Sequence, residues 1–449
     1  MDPVSSGNPP AVRISVIGTG YLGATHAVAL ASCGHEVVGI DTDPDRVRQL
    51  SAGMPPFHEP GFPVLLEEGV RSGSLTFDTD PRSAAGAEVH FLCVGTPQQA
   101  GSHAADLSAL EAATEALAPH LDRPCLVVGK STVPVGTADR LRDRLHELAP
   151  AGEAVALAWN PEFLREGHAV EDSLHPDRLV FGVERDEHDQ VLRTVYARTI
   201  AHGAPVVRTD LATAELAKVS ANVMLAARIS LVNLLAEVCE VTGADVADLR
   251  RILGLDARIG DRFLDPGLGY GGGCLPKDTR AFAARAEELG LRGPVALLRE
   301  VDSLNMRQRA RTIDLAVELA GGSPVGTRVA VLGAAFKADS DDVRDSPALD
   351  VATTLHARGA DVRVYDPRAG ANVARAVPSL EVAASVEDAL RGADVVLVLT
   401  EWAEFRGLDP VALLELVRSP RVIDGRLVLD PDKWRAAGWD LRALGRSAA

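Results

Sequence analysis

Positive charge is what this chain is short of. It carries 46 basic side chains against 63 acidic ones, a net charge of −17. That balance argues against nucleic acid or an anionic membrane surface as a partner and leaves open a local basic pocket for a phosphorylated small molecule. Cysteine is scarce as well. The five, at 33, 93, 125, 239 and 274, are scattered, mostly within apolar stretches, with no CxxC pair and no ligand-like clustering. Such spacing suits reduced thiols in a cytoplasmic enzyme and predicts no metal site. No apolar run approaches the roughly 18 residues that a membrane span needs, so no membrane partner is expected. Residues 1–10 are polar and proline-rich without a basic, apolar leader, and read as a disordered tail. At 449 residues, two or three domains are expected.

What the chain has in quantity is alternation of strands and helices. Val12 to Ile17, apolar apart from Arg13 and Ser15, has strand character and is followed by Gly18-Thr-Gly20-Tyr21-Leu22-Gly23 and a helical pattern that stops at Gly34. The next strand, Glu36 to Ile40, ends in Asp41. A strand, a glycine turn, a helix and a strand ending in an acid, at a spacing near the expected ~20 residues, is the pattern of a dinucleotide site. The glycines admit a pyrophosphate to the helix N-terminus, and Asp41 faces the adenosine ribose, where it would repel a 2′-phosphate and so favours NAD over NADP. A plain structural turn is the competing reading.

Three further strands end in polar residues. Val89 to Val94 runs into Gly95-Thr96-Pro97, Cys125 to Gly129 into Lys130-Ser131-Thr132, and Ala154 to Trp159 into Asn160-Pro161-Glu162-Phe163-Leu164-Arg165-Glu166-Gly167. Ligands of parallel sheets bind beyond the carboxyl ends of strands, which puts Thr96, Thr132, Glu162 and Glu166 on the candidate crevice. From about Asp210 to Val241 the pattern is one long helix without Gly or Pro, expected to link domains or subunits. Lys218 and Asn222 stand one turn apart on it, either as site residues or as a snorkelling lysine and a surface amide. Several weaker helical segments are expected through to about Gly321.

The most chemically loaded stretch is Gly267-Leu-Gly-Tyr270-Gly271-Gly-Gly-Cys274-Leu-Pro-Lys277-Asp278, with five glycines in seven residues. It reads as a flexible loop running into a helix, with Pro276 in the first turn. A thiol just before a helix start lies in the field of unpaired backbone N–H groups, which favours thiolate. An incidental buried cysteine beside a surface loop remains the alternative. Beyond it a second α/β unit begins at Thr327 to Gly333, with a helix from Ser346-Pro347 to Gly359 and strands at Val362 to Tyr365 and Val395 to Leu399. It partly echoes the first half but lacks the three-glycine fingerprint, so no second dinucleotide is expected. Lys337, Arg344 and Arg426, near strand ends, would suit ligand phosphates or be solvated charges.

Taken in order, GTGYLG, FLCVGTP, KSTVPVGT, NPEFLREG, LAKVSANVMLAAR, ARIGDRFLDPGLGYGGGCLPKD, LGAAFKADSDDVRDSP and VIDGR span residues 14–426 and resemble the UDP-glucose/GDP-mannose dehydrogenase family. The resemblance is strongest to its branch that oxidises UDP-glucose, with GDP-mannose as the alternative substrate. It implies an α/β protein with an N-terminal NAD-binding Rossmann domain (11–205), a central helical dimerisation domain (206–322) and a C-terminal Rossmann-like UDP-sugar-binding domain (323–440). It implies a homodimer or higher oligomer and a four-electron oxidation of the sugar C6 alcohol using two NAD. By the same resemblance Cys274 is the nucleophile, Lys218 and Asn222 support the oxyanion, and Asp278 holds water or accepts protons. Glu162 is the base, and Thr132 positions water. Gly18, Gly20, Tyr21, Leu22, Gly23, Asp41, Arg46, Thr96, Thr132, Glu166, Cys274, Lys277 and Arg344 are implied NAD contacts. Glu162, Phe163, Leu164, Lys218, Asn222, Phe263, Leu264, Gly267, Tyr270, Gly271, Lys337 and Arg426 are implied substrate contacts, and Arg258 is implied to reach across the dimer.

One departure stands out: the family more often reads Gly-Gly-Ser-Cys-Phe-Pro-Lys-Asp where this chain has Gly273 and Leu275. That predicts a smaller, slacker loop with the cysteine chemistry intact. The UDP-N-acetyl-sugar branch, usually with histidine before the cysteine, fits less well. A two-electron β-hydroxyacid dehydrogenase would share the Rossmann domain and long helix but would need no nucleophilic cysteine.

Overall fold

The computed structural model describes residues 10–447. The tail expected at residues 1–10 therefore falls, apart from Pro10, outside the described residues. The chain divides into two compact units after Ala221.

The first unit is built on strands β1 (Arg13–Ile17), β2 (Glu36–Ile40), β3 (Leu75–Asp78), β4 (Val89–Leu92), β5 (Cys125–Gly129), β6 (Val155–Trp159), β7 (Leu179–Gly182) and β8 (Val206–Thr209). Their order in the sheet is β3-β2-β1-β4-β5-β6-β7-β8. The first six are parallel, and β7 joins antiparallel through the single pair Trp159–Gly182. Strands β5, β6 and β7 are continuous apolar runs because both faces are covered. Ile14, Val16, Phe91 and Val128 pack into one core, and Ile17, Leu92, Val127 and Trp159 into the other. Strand order reverses between β1 and β4, the point where such a sheet opens a crevice at its carboxyl edge.

The second unit carries a sheet of β9 (Arg328–Leu332), β10 (Asp361–Tyr365), β11 (Glu381–Val382), β12 (Val395–Val398), β13 (Arg421–Asp424) and β14 (Asp440–Ala443), ordered β11-β10-β9-β12-β13-β14 and parallel throughout. This repeats the order of the first six strands, so the echo read from sequence is a repeat of topology. Ser346 caps the helix Pro347–Ala357, accepting from the Leu349 amide at 3.3 Å.

The long helix is Leu211–Thr242. The expectation that no apolar run approaches the length of a membrane span is corrected here: one 18-residue window of this helix has mean hydropathy 1.6 with no more than two charged residues. By length and composition it passes the test for a membrane span, although 39% of that window is buried within the protein. The weaker segments expected after it include one helix of 28 residues, Arg292–Leu319. Its buried stripe contains Asn305, Gln308, Arg309 and Thr312, so a hydrophobic period could not reveal it.

Candidate active site

The turn after β1 has the geometry that an anion requires. Gly18 sits at φ +87°, and its amide donates to Ile40 O at 2.7 Å. A Cβ on Gly23 would lie 1.8 Å from Gly18 O, whereas one on Gly20 would meet nothing within 4 Å. Tight turn, open approach and close helix packing are thus divided among the three glycines. The helix Tyr21–Ser32 that follows has no side-chain cap, so its first N–H groups point into that opening. Leu22, partly buried, sits in its first turn. Asp41, at the end of β2, accepts from the Thr19 amide (2.7 Å), the Asp43 amide (3.0 Å) and Arg46 Nη1 (3.0 Å). Burial pushes its carboxyl up, but those amides and the guanidinium outweigh it and hold it below the usual range. These residues fit a bound NAD. The Tyr21 hydroxyl donates to buried Glu59, and both accept from the Gly167 amide, next to Glu166.

On adjacent strands the same edge carries the next residues. Thr96 Oγ1 donates to Thr132 O at 2.7 Å. Glu162, just past β6, pairs with Lys218 at 2.9 Å, with only 11% and 5% of the two side chains exposed. Its other oxygen accepts from the Leu164 amide at 2.6 Å. Two cations lie near the Phe163 ring, Lys218 Nζ at 5.7 Å and Arg178 Cζ at 3.7 Å from its centroid. One turn before Lys218, Glu215 accepts from the Gly136 and Ala138 amides, at 2.8 and 2.6 Å, and so caps the helix Thr137–Leu148. Lys130 is buried and donates to Asn160 Oδ1 at 3.1 Å. Burial pushes its pKa down to about 8.

In the second unit the glycine-rich loop is not slack. The Gly267 amide donates to Asn233 Oδ1 (2.8 Å), and Asn305 binds both the amide (2.7 Å) and the carbonyl (3.0 Å) of Tyr270. Added Cβ atoms on Gly271, Gly272 and Gly273 would meet Asp345 O at 2.3 Å, the Phe336 ring at 2.8 Å and the Arg344 guanidinium at 2.6 Å. The expected flexibility and slackness are therefore corrected: these glycines admit close packing. The loop delivers Cys274, exposed, to the N-cap of the helix Leu275–Glu288. Asp278, one turn on and buried, accepts from Asn222 Nδ2 at 2.6 Å and Lys277 Nζ at 2.5 Å. A surface amide is thus excluded for Asn222, which is buried.

Arg426, just beyond β13, lies against Gly267, where a Cβ would be 3.2 Å from its Cδ, and donates to Leu399 O at 3.2 Å. Lys337 Nζ stands 5.7 Å from the Phe336 ring centroid. Leu264 is buried, while Phe263 is half-exposed at φ +60°. Arg258 is not brought to the others within its unit: it is 89% exposed and pairs with Asp256. Sequence reasoning missed Asn233 and Asn305, which hold the loop, and Glu59, Glu215 and Lys130. A lone Asn in the apolar run Leu231 to Leu235 was a readable signal for Asn233; Asn305, in a polar stretch, gave none.

Comparison with known proteins covers nearly the whole chain. Models of the UDP-glucose/GDP-mannose dehydrogenase family match its NAD binding domain at residues 12–200, its central domain at 212–307 and its UDP binding domain at 330–431. A UDP-glucose 6-dehydrogenase of Rhizobium meliloti is 39% identical over 438 residues, covering 97% of this chain and 100% of that protein. One of Haloferax volcanii is 40% identical over 441 residues, covering 96% and 100%. The structure of a UDP-glucose dehydrogenase from Pyrobaculum islandicum superposes with a TM-score of 0.91 at 37% identity, covering 99% of this chain and 100% of that one.

Proposed function

The chain belongs to the UDP-glucose/GDP-mannose dehydrogenase family, and from that premise we propose that it is an NAD-dependent UDP-glucose 6-dehydrogenase, oxidising the sugar C6 alcohol to the carboxylate. The observation that carries the reading is Cys274, exposed at a helix N-cap, with buried Asp278 one turn on, paired with buried Asn222 and partly buried Lys277.

The Gly18–Gly23 turn and Asp41 would hold NAD, which would supply the hydride acceptor for both oxidations. The chain's own residues do the rest. The Cys274 thiolate adds to the C6 aldehyde to give a thiohemiacetal, and loss of the second hydride leaves a thioester. Lys218 and Asn222 offer positive charge and an N–H to the oxyanion. Glu162, with Thr132 and Asp278 handling water and protons, serves hydrolysis of the thioester, which returns the thiol and the carboxylate. Tyr270, Leu264, Lys337 and Arg426 cradle the nucleotide sugar, and Thr96, Glu166 and Arg344 contact NAD.

A two-electron β-hydroxyacid dehydrogenase would leave Cys274 without a task. GDP-mannose is the alternative substrate within the family, whereas the similar proteins of Rhizobium meliloti and Haloferax volcanii carry the name UDP-glucose 6-dehydrogenase. Initial NADH rates on a panel of UDP- and GDP-sugars test the choice: UDP-glucose should be fastest, and preference for GDP-mannose would overturn it. The reading also includes a homodimer. Met224, Leu231, Leu234, Val238 and Val241 form an exposed apolar stripe at helical spacing, and Ile252 and Leu255 of the next helix and its C-cap are exposed as well. A partner copy accounts for that stripe and for the apolar window of the helix, which Arg228, Asn233 and Glu237 interrupt. Five cysteines without a disulfide support a cytoplasmic setting.

A further inference from the structure

The loop that carries Cys274 is braced by a turn with an unusual backbone. Asp345 lies at φ +44°, one of four non-glycine residues at positive φ among the described residues. A residue with a Cβ keeps that conformation only when its surroundings hold it. Here two arginines do so. Arg280 Nη1 donates to one carboxylate oxygen at 3.1 Å, and Arg309 Nη2 reaches the other at 2.7 Å. Both arginines are themselves anchored, Arg280 on Asp302 at 3.0 Å and Arg309 on Asp350 at 3.2 Å. Arg309 is buried and also donates to the carbonyls of Asp345 (3.3 Å) and Tyr270 (3.4 Å). One guanidinium thus ties the turn to the start of the nucleophile's loop.

The consequence falls on the residues just before the sulfur. With Asp345 turned this way, the Arg344 carbonyl accepts from the Gly272 amide at 3.0 Å. The Asp345 carbonyl lies 2.3 Å from where a Cβ on Gly271 would stand, and the Arg344 guanidinium 2.6 Å from one on Gly273. Arg344 also donates to Asp342 Oδ2, from Nε at 2.9 Å and from Nη2 at 2.6 Å. Glycine would adopt this φ freely and asparagine tolerates it, but only a carboxylate also accepts from both arginines.

We propose that Asp345 is a positioning residue for Cys274: locked by Arg280 and Arg309, its turn fixes residues 271–274 and holds Arg344 beside the residue that precedes the sulfur. This rests on the reading of Cys274 as the nucleophile. Capture of the aldehyde needs the sulfur within about 3.5 Å of the carbon in the right direction, and a misplacement of about 1 Å can cost up to ~10²-fold. Loosening the turn therefore lets aldehyde escape before the thiohemiacetal forms.

The test uses Asp345→Asn, which keeps the turn accessible while removing the ion pairs, and Arg309→Lys as a second variant should the first not fold. NADH per UDP-glucose consumed is measured with semicarbazide present to trap free aldehyde, alongside kcat, both KM values and the melting temperature. The variants should lose about tenfold in kcat with the KM for UDP-glucose within about twofold of wild type. Their NADH ratio should fall from two towards one as trapped aldehyde appears. A merely structural role would lower the melting temperature and leave the ratio at two, and folded variants with that result overturn the proposal. A wild-type ratio of one, or undiminished NADH formation after Cys274 is alkylated, would instead overturn the reading of Cys274 itself.

Discussion

Lys218 and Glu162 meet at 2.9 Å almost out of water, so each is worth most in the other's presence. Removing one partner leaves an uncompensated buried charge, which typically costs about 3–5 kcal/mol. Lys218→Met should therefore lower the melting temperature, and Glu162→Gln introduced into that background should cost much less than in wild type; additive losses in a double-mutant cycle would contradict the pair. In activity, Lys218→Met should reduce kcat by ~10²–10³, the scale of a lost oxyanion donor. Asp41 works through a different contact. Its carboxylate holds Arg46 at 3.0 Å, so on the proposed role of Asp41 as ribose acceptor, Asp41→Ser should remove that acceptor and free a cation for a 2′-phosphate. The variant should raise the KM for NAD by about tenfold and accept NADP; wild type using both cofactors equally well would remove Asp41 from its role.

The elements that position the site are held by polar groups inside them. The first turns of the helix Leu211–Thr242 carry Glu215, which caps the helix after β5, and Lys218, which holds the residue after β6. Strand β4 carries His90, hydrogen-bonded to Ser15 of β1 at 2.8 Å. Burial pushes its pKa down from 6.5 to about 4. Between those values the unfolded chain binds a proton that the folded one refuses, so stability rises with pH across that window and falls on acidification through it. Melting curves from pH 6.5 to pH 4 should drop more steeply for wild type than for His90→Gln; parallel curves would show that His90 titrates normally. How much of this was legible depended on where apolar period and polar need coincided. Strands β2 and β5 match the reading residue for residue, because a two-sided parallel sheet makes them predominantly apolar. The helix Arg292–Leu319 broke up on reading because Asn305 and Arg309 occupy its buried stripe in order to hold the loop before Cys274. That loop was located correctly but judged flexible, since glycine permits mobility and close packing alike and only neighbours such as Phe336 and Asp345 decide between them.

At the scale of the molecule, two sheets share one strand order, and their second strands end alike. Asp366 follows β10 as Asp41 follows β2, but its carboxylate is filled by the amides of Ala334, Ala335, Arg368 and Ala369 and by Trp402 Nε1. Those five donors occupy the carboxylate, and the turn after Gly333 lacks the further glycines, in keeping with the expectation of no second dinucleotide there. The exposed stripe from Met224 to Val241 predicts a dimer in sedimentation at assay concentration, and Leu231→Glu with Val238→Glu should shift it towards monomer and cut activity. A fully active wild-type monomer would contradict this.

The central claim is that one cysteine separates alcohol oxidation from acid formation, and product analysis of Cys274→Ala beside wild type tests it most directly. Wild type should yield two NADH per UDP-glucose with the uronic acid as sole product. The variant should lose sustained acid formation while still reducing a supplied 6-aldehyde with NADH, because hydride transfer at that stage needs no sulfur. A Cys274→Ala enzyme that makes the uronic acid at near wild-type rate would contradict the covalent mechanism.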